Sequence, residues 1–370
     1  MRAWAEINLD NLAYNIEKIK KFSKNREIMA IIKADAYGMG AVTIAEELST
    51  LGIKDFGVSS VEEGIELRNH NIKGNILILA GVYDEELSLV RRYGLEVAVT
   101  NFSQLKLFTK NQDIPLHLKI DTGMGRVGFS LEEAEEALKF SKEKKLNLVG
   151  IYSHLSVADE NQEESHNYTL NQLDKFKIFE EEKSIRHIHI LNSGGILKYS
   201  NSSNSNMVRA GIILYGVYGE GPIKQLKRVF TLKSRILFIK TLQEDMDISY
   251  GRVGKGHKDD IIATISIGYA DGFRREFSNV GTVEIQGVKC KVVGKVCMDM
   301  TMVQIPKELA SRVKIGDEVI VIGEDIYEKS QSIGISIYEM FTGLSRRVSR
   351  VYIKNGIPKP HIINNLIGTI

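Results

Sequence analysis

Nowhere in the 370 residues does an uninterrupted apolar run approach the roughly twenty residues that a membrane-spanning helix needs, so a spanning protein is not expected. Cysteine is scarce. Cys290 and Cys297 are too few for a disulfide framework and too far apart for a CxxC metal pair, which leaves no metal expected and a reducing, cytoplasmic setting as the best fit. Charge of one sign is also lacking: 49 basic residues against 47 acidic ones leave a net of +2. Without a basic block there is no nucleic-acid footprint, and the densest basic run, Ser345 to Arg350, is short. The opening MRAWAEINLDNLAYNIEKI carries charges from its second residue and no continuous apolar segment, so neither a signal peptide nor a membrane anchor is expected. Low-complexity linkers are absent too. What remains is the expectation of a soluble protein, with neither nucleic acid nor membrane as partner.

What the chain does have is alternation. Asn8 is placed to cap a helix with apolar residues at Leu9, Leu12, Ile16 and Ile19. Eight short apolar runs follow: IMAIIKA, DFGVSS, NILILAG, LEVAVT, IPLHLKID, LNLVGIYSHL, IRHIHILNS and NMVRAGIILYG. Amphipathic stretches such as AVTIAEELST and SLEEAEEALKFSKE separate them. Eight βα units predict an α/β fold, a (β/α)8 TIM-type barrel over residues 1–228, with a doubly wound sheet as the alternative. From about Val229 the strands FTLKSRILFIKTL, DIIATISIGYADGF, GTVEIQGVKCKVV and GDEVIVIGE come without intervening helices. Residues 229–370 therefore read as a mostly β domain, interrupted late by one helix near Ile335 to Leu344.

In such a barrel, chemistry sits at the carboxyl ends of the strands. Lys33, Lys119, Asp121, His154, Asn192, Ser193 and Arg209 all fall there. An ammonium at the end of a buried strand is costly unless it is paired, neutral or covalently occupied. Lys33 in AIIKADAYGMG therefore suggests a Schiff base, either with a substrate carbonyl or with pyridoxal phosphate. The second needs a phosphate site. Gly194, Gly195 and Gly211 in NSGG and RAGI would let backbone N–H groups approach one, with the Ser193 hydroxyl beside them, although plain turn glycines read the same way.

The segments KADAYGMG, KIDTGMGRVGF, SHLSVADE, VRAGIILYG, ISYG, IGYADGF and KVCMDM resemble, in order and spacing, the alanine racemase family along nearly the whole chain. That resemblance implies a pyridoxal 5′-phosphate enzyme interconverting L- and D-alanine through a cofactor aldimine and supplying D-alanine for peptidoglycan. It makes Lys33 the Schiff-base lysine and one catalytic base, and Tyr250 the base on the opposite face. It implies Tyr37, Ser193, Gly211 and Ile212 around the phosphate, and Arg209 facing the pyridine nitrogen. His154 would lower the cost of the Tyr250 phenolate. Arg126 would steady the substrate carboxylate or the cofactor's phenolic oxygen, and the Met298 amide would bind the carboxylate. Asp299 would shape that loop, and Tyr269 would line the channel. Lys119 would be carboxylated and orient Arg126; a Lys119–Asp121 ion pair is the alternative. A head-to-tail homodimer is implied as well, because Tyr250 of one subunit serves the other.

Two positions depart from the family pattern. Met39 stands where GHG is usual, and Arg346 stands where SYRVPR has its tyrosine, so Arg346 is the expected phosphate contact. Substrate breadth is therefore open, with serine or larger amino acids as the nearest competing reading. An amino-acid decarboxylase of barrel type is disfavoured by Arg209. A non-catalytic cofactor carrier would lack the β domain and Tyr250. Cys297 has no acid–base partner in the sequence beside it and reads as packing.

Overall fold

The structure, a computed structural model, describes residues 1–219 and 221–359 and the backbone of 363–364 and 368–369. The chain divides into two compact units, Leu12–Lys227 and Met1–Asn11 with Arg228–Ile370. The first strand, β1 (Ala3–Asn8), falls in the second of these.

The larger unit is a closed parallel barrel. Its strands are β2 (Glu27–Ile31), β3 (Asp55–Val58), β4 (Asn75–Ile78), β5 (Glu96–Val99), β6 (Leu116–Lys119), β7 (Leu148–Tyr152), β8 (His187–His189) and β9 (Met207–Ala210). All eight expected runs form strands, and the pairing of β2 with β9 closes the ring, so the doubly wound alternative falls. Each strand is covered on both faces, which is why it reads as a continuous apolar run instead of an alternating one. The intervening helices start where side chains satisfy orphan amides: Asn8 accepts from Asn11 at 2.8 Å, and Ser130 and Glu133 form a reciprocal capping box.

The second unit is a sheet built around the twelve-residue β10 (Phe230–Thr241), with the hairpin of β11 (Met246–Ile248) and β12 (Gly254–Gly256) apart from it. Strands β13 (Ile261–Ile265), β14 (Thr282–Ile285), β15 (Val288–Val292), β16 (Thr301–Ile305) and β17 (Glu318–Ile322) continue the sheet antiparallel, and β10 also pairs with β13. Strand β1 lies between β10 and β18 (Ser349–Lys354), so residues 1–11 lie with the β unit and not with the barrel to which the sequence reading assigns them. Two helices occur late, at Ile326–Ile333 and Ile337–Thr342, where one is expected.

Candidate active site

Lys33 sits two residues beyond β2, and the four residues after it, Ala34 to Tyr37, all adopt left-handed backbone with φ between 52° and 56°. None is glycine, and each such residue costs about 1–2 kcal/mol, so the turn persists only because its surroundings over-determine it. Glu63 is one clamp: its two carboxylate oxygens accept from the amides of Ala34 and Ser59, each at 2.7 Å. Asp35 is another, accepting from the amide of Ala41 at 2.7 Å. The turn delivers Tyr37 to a buried position against Tyr215, with ring centroids 5.7 Å apart. Burial, followed by the charge of Arg126, lowers the pKa of Lys33, with Glu63 opposing. A larger share of free amine results, as condensation with a carbonyl requires.

Tyr37, Ser193 and Gly211 meet. The Gly211 amide donates to Ser193 Oγ at 3.3 Å, and a Cβ added at Gly211 would lie 2.7 Å from Tyr37 Oη and 3.6 Å from Ser193 Oγ. A Cβ at Gly194 would lie 2.8 Å from the backbone of Ala158 and Asp159. Asn192 accepts from the Gly195 amide at 3.0 Å, setting the turn, and Ile212 is fully buried behind it. Hydroxyls and closely approached amides of this kind are the donor set a phosphate needs, so these residues fit the phosphate of pyridoxal phosphate.

Arg209 on β9 is 3% exposed, and both terminal nitrogens of its guanidinium donate hydrogen bonds. It donates to the carbonyls of Ser153 (2.6 Å), His189 (3.0 Å) and Ile190 (3.2 Å), to His189 Nδ1 (2.9 Å) and to His154 Nδ1 (3.2 Å). Burial lowers its pKa to about 10, which leaves it cationic near neutrality. The same burial, with Arg209 next in weight, drives His154 far below the ordinary histidine range, so its imidazole is neutral. Because arginine has no acceptor, His154 must receive at Nδ1 and carry its proton on Nε2.

Lys119 does not form the alternative ion pair with Asp121. Asp121 Oδ1 is occupied by the amides of Gly123 (2.9 Å), Met124 (2.9 Å) and Gly125 (3.1 Å). Burial alone would raise that carboxyl, but these bonds and the Lys119 charge hold it below its usual range. Lys119 instead donates to the Ile120 carbonyl at 2.8 Å and lies 5.4 Å from the Tyr152 ring centre. Burial and the Arg209 charge pull its pKa to about 7, with Asp121 opposing and Arg126 adding.

The β unit carries the remaining expected residues. Tyr250 is 70% exposed on a turn after β11 in which Ser249, Gly251 and Arg252 all have positive φ. Ser249 Oγ donates to the Lys295 carbonyl at 2.6 Å, tying that turn to the loop bearing Cys297 and Met298. The amides of Tyr269 and Ala270 donate to the carbonyls of Cys297 and Met298, each at 3.0 Å, so Tyr269 and Met298 are neighbours. Arg347 donates to Asp299 at 2.8 Å and also to Asp271, a fully buried carboxylate that Arg2 also contacts. Arg346, the expected phosphate contact, is exposed beside this network, while Met39 is buried in the barrel unit.

Sequence reasoning missed Glu63, Asp271, Arg347 and a polar row inside the barrel comprising Glu96, His117 and His189. For the row a signal existed, since charged and imidazole side chains interrupt the apolar strands EVAV, LHLK and HIH.

Comparison with known proteins agrees with this picture. Residues 7–219 match the family model "Alanine racemase, N-terminal domain", and residues 229–352 match "Alanine racemase, C-terminal domain". The chain is 43% identical over 354 residues to an alanine racemase of Fusobacterium nucleatum, covering 95% of this chain and 100% of that one. Among solved structures, it is similar to alanine racemase of Clostridium difficile 630, with a TM-score of 0.91 at 35% identity and 99% coverage of both chains. It is also similar to an alanine racemase from Bartonella henselae with covalently bound pyridoxal phosphate, with a TM-score of 0.87 at 29% identity, covering 95% of this chain and 100% of that one.

Proposed function

The chain belongs to the alanine racemase family of pyridoxal-phosphate-dependent isomerases, and from that premise we propose how its own residues interconvert L- and D-alanine. Bound pyridoxal phosphate supplies an aldehyde for the substrate amine and a conjugated ring that accepts electron density as the Cα proton leaves. Tyr37, Ser193, Gly211 and Ile212 hold the phosphate. Lys33 would hold the cofactor through its Nζ and, when that amine is free, move a proton on one face of Cα.

Tyr250 Oη serves the other face. His154, whose proton sits on Nε2, has a donor with which to stabilise the phenolate, and Arg209 lends positive charge behind it. Arg209, whose N–H groups only donate, would face the ring nitrogen and keep it unprotonated, which would restrain side reactions.

Lys119 at about pKa 7 has free amine at neutral pH to combine with carbon dioxide, releasing one proton and forming a carbamate anion. That anion orients Arg126 toward the substrate carboxylate. The Met298 amide assists, since the Cys297 carbonyl of the same peptide accepts from the Tyr269 amide, and Asp299 and Arg347 fix the loop while Tyr269 lines the channel. Exposure of Tyr250 supports a homodimer in which each copy lends this residue to the other. Cys290 and Cys297 form no disulfide, which suits a cytoplasmic setting. No helix among the described residues is long and apolar enough to cross a membrane.

The observation carrying this reading is Lys33, depressed by burial at the end of β2 beside Arg126. Lys33→Ala is expected to remove both the visible absorption of the loaded enzyme and racemisation. Retention of either at near-normal level contradicts the assignment.

A further inference from the structure

A row of buried polar groups crosses the barrel interior from β5 to β9, and none of Glu96, His117 and His189 has a role in the chemistry above. Glu96 is 6% exposed, His117 and His189 are 0% exposed, and Arg209 stands at the end of the row. We propose that Glu96 and His117 are positioning residues: they fix which nitrogen of His189 faces Arg209 and so hold the guanidinium in its orientation at the site. The proposal rests on the reading of Arg209 as the group beside the cofactor ring.

Arg209 Nη1 lies 2.9 Å from His189 Nδ1, and a guanidinium can only donate, so His189 Nδ1 accepts. Burial, then the charge of Arg209, keeps His189 well below the ordinary histidine range and therefore neutral. Its single proton must then be on Nε2. That N–H meets His117 Nδ1 at 3.0 Å, which must accept in turn. The proton of His117 is left on Nε2, 2.9 Å from Glu96 Oε2.

Three bonds thus run in one direction, from a group that only donates to a carboxylate that only accepts. Any other placement sets two N–H groups or two lone pairs against each other inside the barrel. Burial would raise the Glu96 carboxyl, but the His117 bond and nearby positive charge such as that of Arg186 carry it below its usual value, so the accepting end stays anionic.

Packing holds the rings in the geometry this requires. His189 stacks on Tyr152 at 4.9 Å and 9°, and the Arg209 guanidinium lies 5.3 Å from the centre of the same tyrosine ring. His117 stacks on His187 at 5.8 Å and 9°. Beside His117, in register on β7, stands Gly150, where an added Cβ would lie 2.0 Å from His117 Nδ1 and 2.4 Å from its Cε1. Only glycine leaves room for the ring, so the strand is fitted to the row and the row is not an accident of burial.

The test uses full-length enzyme labelled with [15N]histidine, loaded with cofactor and stripped of it, and two-bond 1H–15N NMR to read each imidazole tautomer. Wild type is expected to show His117 and His189 as Nε2–H tautomers in both forms. Glu96→Gln ends the row in an amide that both donates and accepts, and Gly150→Ala displaces the His117 ring. Each is expected to mix the His189 tautomers, shift the visible band of the loaded enzyme and slow racemisation about tenfold, with KM for alanine changed less than about twofold.

A wild-type His189 bearing its proton on Nδ1, or a mixture, overturns the proposal even if both variants fail to fold. An unmoved band in Glu96→Gln, while Arg209→Lys shifts it, also overturns it. If Arg209→Lys leaves the band in place, the placement of Arg209 at the cofactor fails, and the histidine tautomers still decide the row.

Discussion

Replacing Lys119 with methionine should stabilise the protein at neutral pH while impairing it as an enzyme. Lys119 is 2% exposed and its pKa falls from 10.5 to about 7, chiefly through burial and then Arg209. Between those values the unfolded chain binds a proton that the folded chain does not, so stability rises with pH across this window and is flat below it. At about 1.36 kcal/mol per pH unit, the difference of 10.5 less 7 amounts to roughly 5 kcal/mol in acid. The penalty is about 4 kcal/mol at pH 7 and about 2 kcal/mol at pH 9. Methionine fills a similar volume against Tyr152 and carries no charge, but it forfeits the bond to the Ile120 carbonyl, worth about 1 kcal/mol. The absolute gain is therefore smaller than the penalty, whereas the pH dependence is unaffected by that bond. Urea denaturation of cofactor-free protein followed by circular dichroism, in buffer free of carbon dioxide, should show the advantage of Lys119→Met shrinking by about 2 kcal/mol from pH 7 to pH 9. A constant difference would refute the depressed amine, and with it the physical reason for carboxylation.

Two further outcomes follow from the barrel residues. With 13C-bicarbonate, wild type should show a carbamate resonance that disappears in Lys119→Met, and racemisation by that variant should be poor because Arg126 loses its anion; a signal persisting in the variant would place the adduct elsewhere. Gly211→Ala inserts a methyl 2.7 Å from Tyr37 Oη, so affinity for pyridoxal phosphate, measured by fluorescence titration, should fall about tenfold or more, and a change within twofold would remove Gly211 from the phosphate site.

Some of this was legible in the sequence for identifiable reasons. The eight barrel strands stand out because strands buried on both faces are short apolar runs between amphipathic helices. Strand β1 does not, because AWAEIN runs straight into the helix capped by Asn8, and its partners lie more than two hundred positions along the chain. Nothing in KADAYG signals four left-handed residues, since no glycine occurs before Gly38 and the clamp, Glu63, comes from another βα unit. Lys119 and Asp121 look like a pair two residues apart, but backbone amides claim the carboxylate first. His117 and His189 were visible as interruptions, yet that they meet depends on how β6, β7 and β8 align, which no single segment states.

In the proposed reaction two bases, Lys33 and Tyr250, act on opposite faces of Cα. The measurement that tests it most directly is 1H NMR of L-alanine and, separately, D-alanine incubated with Tyr250→Phe in deuterium oxide. Loss of interconversion, with one enantiomer still exchanging its Cα hydrogen for deuterium at a substantial rate, is the predicted result. Near-normal interconversion of both enantiomers would contradict it and remove Tyr250 from the chemistry.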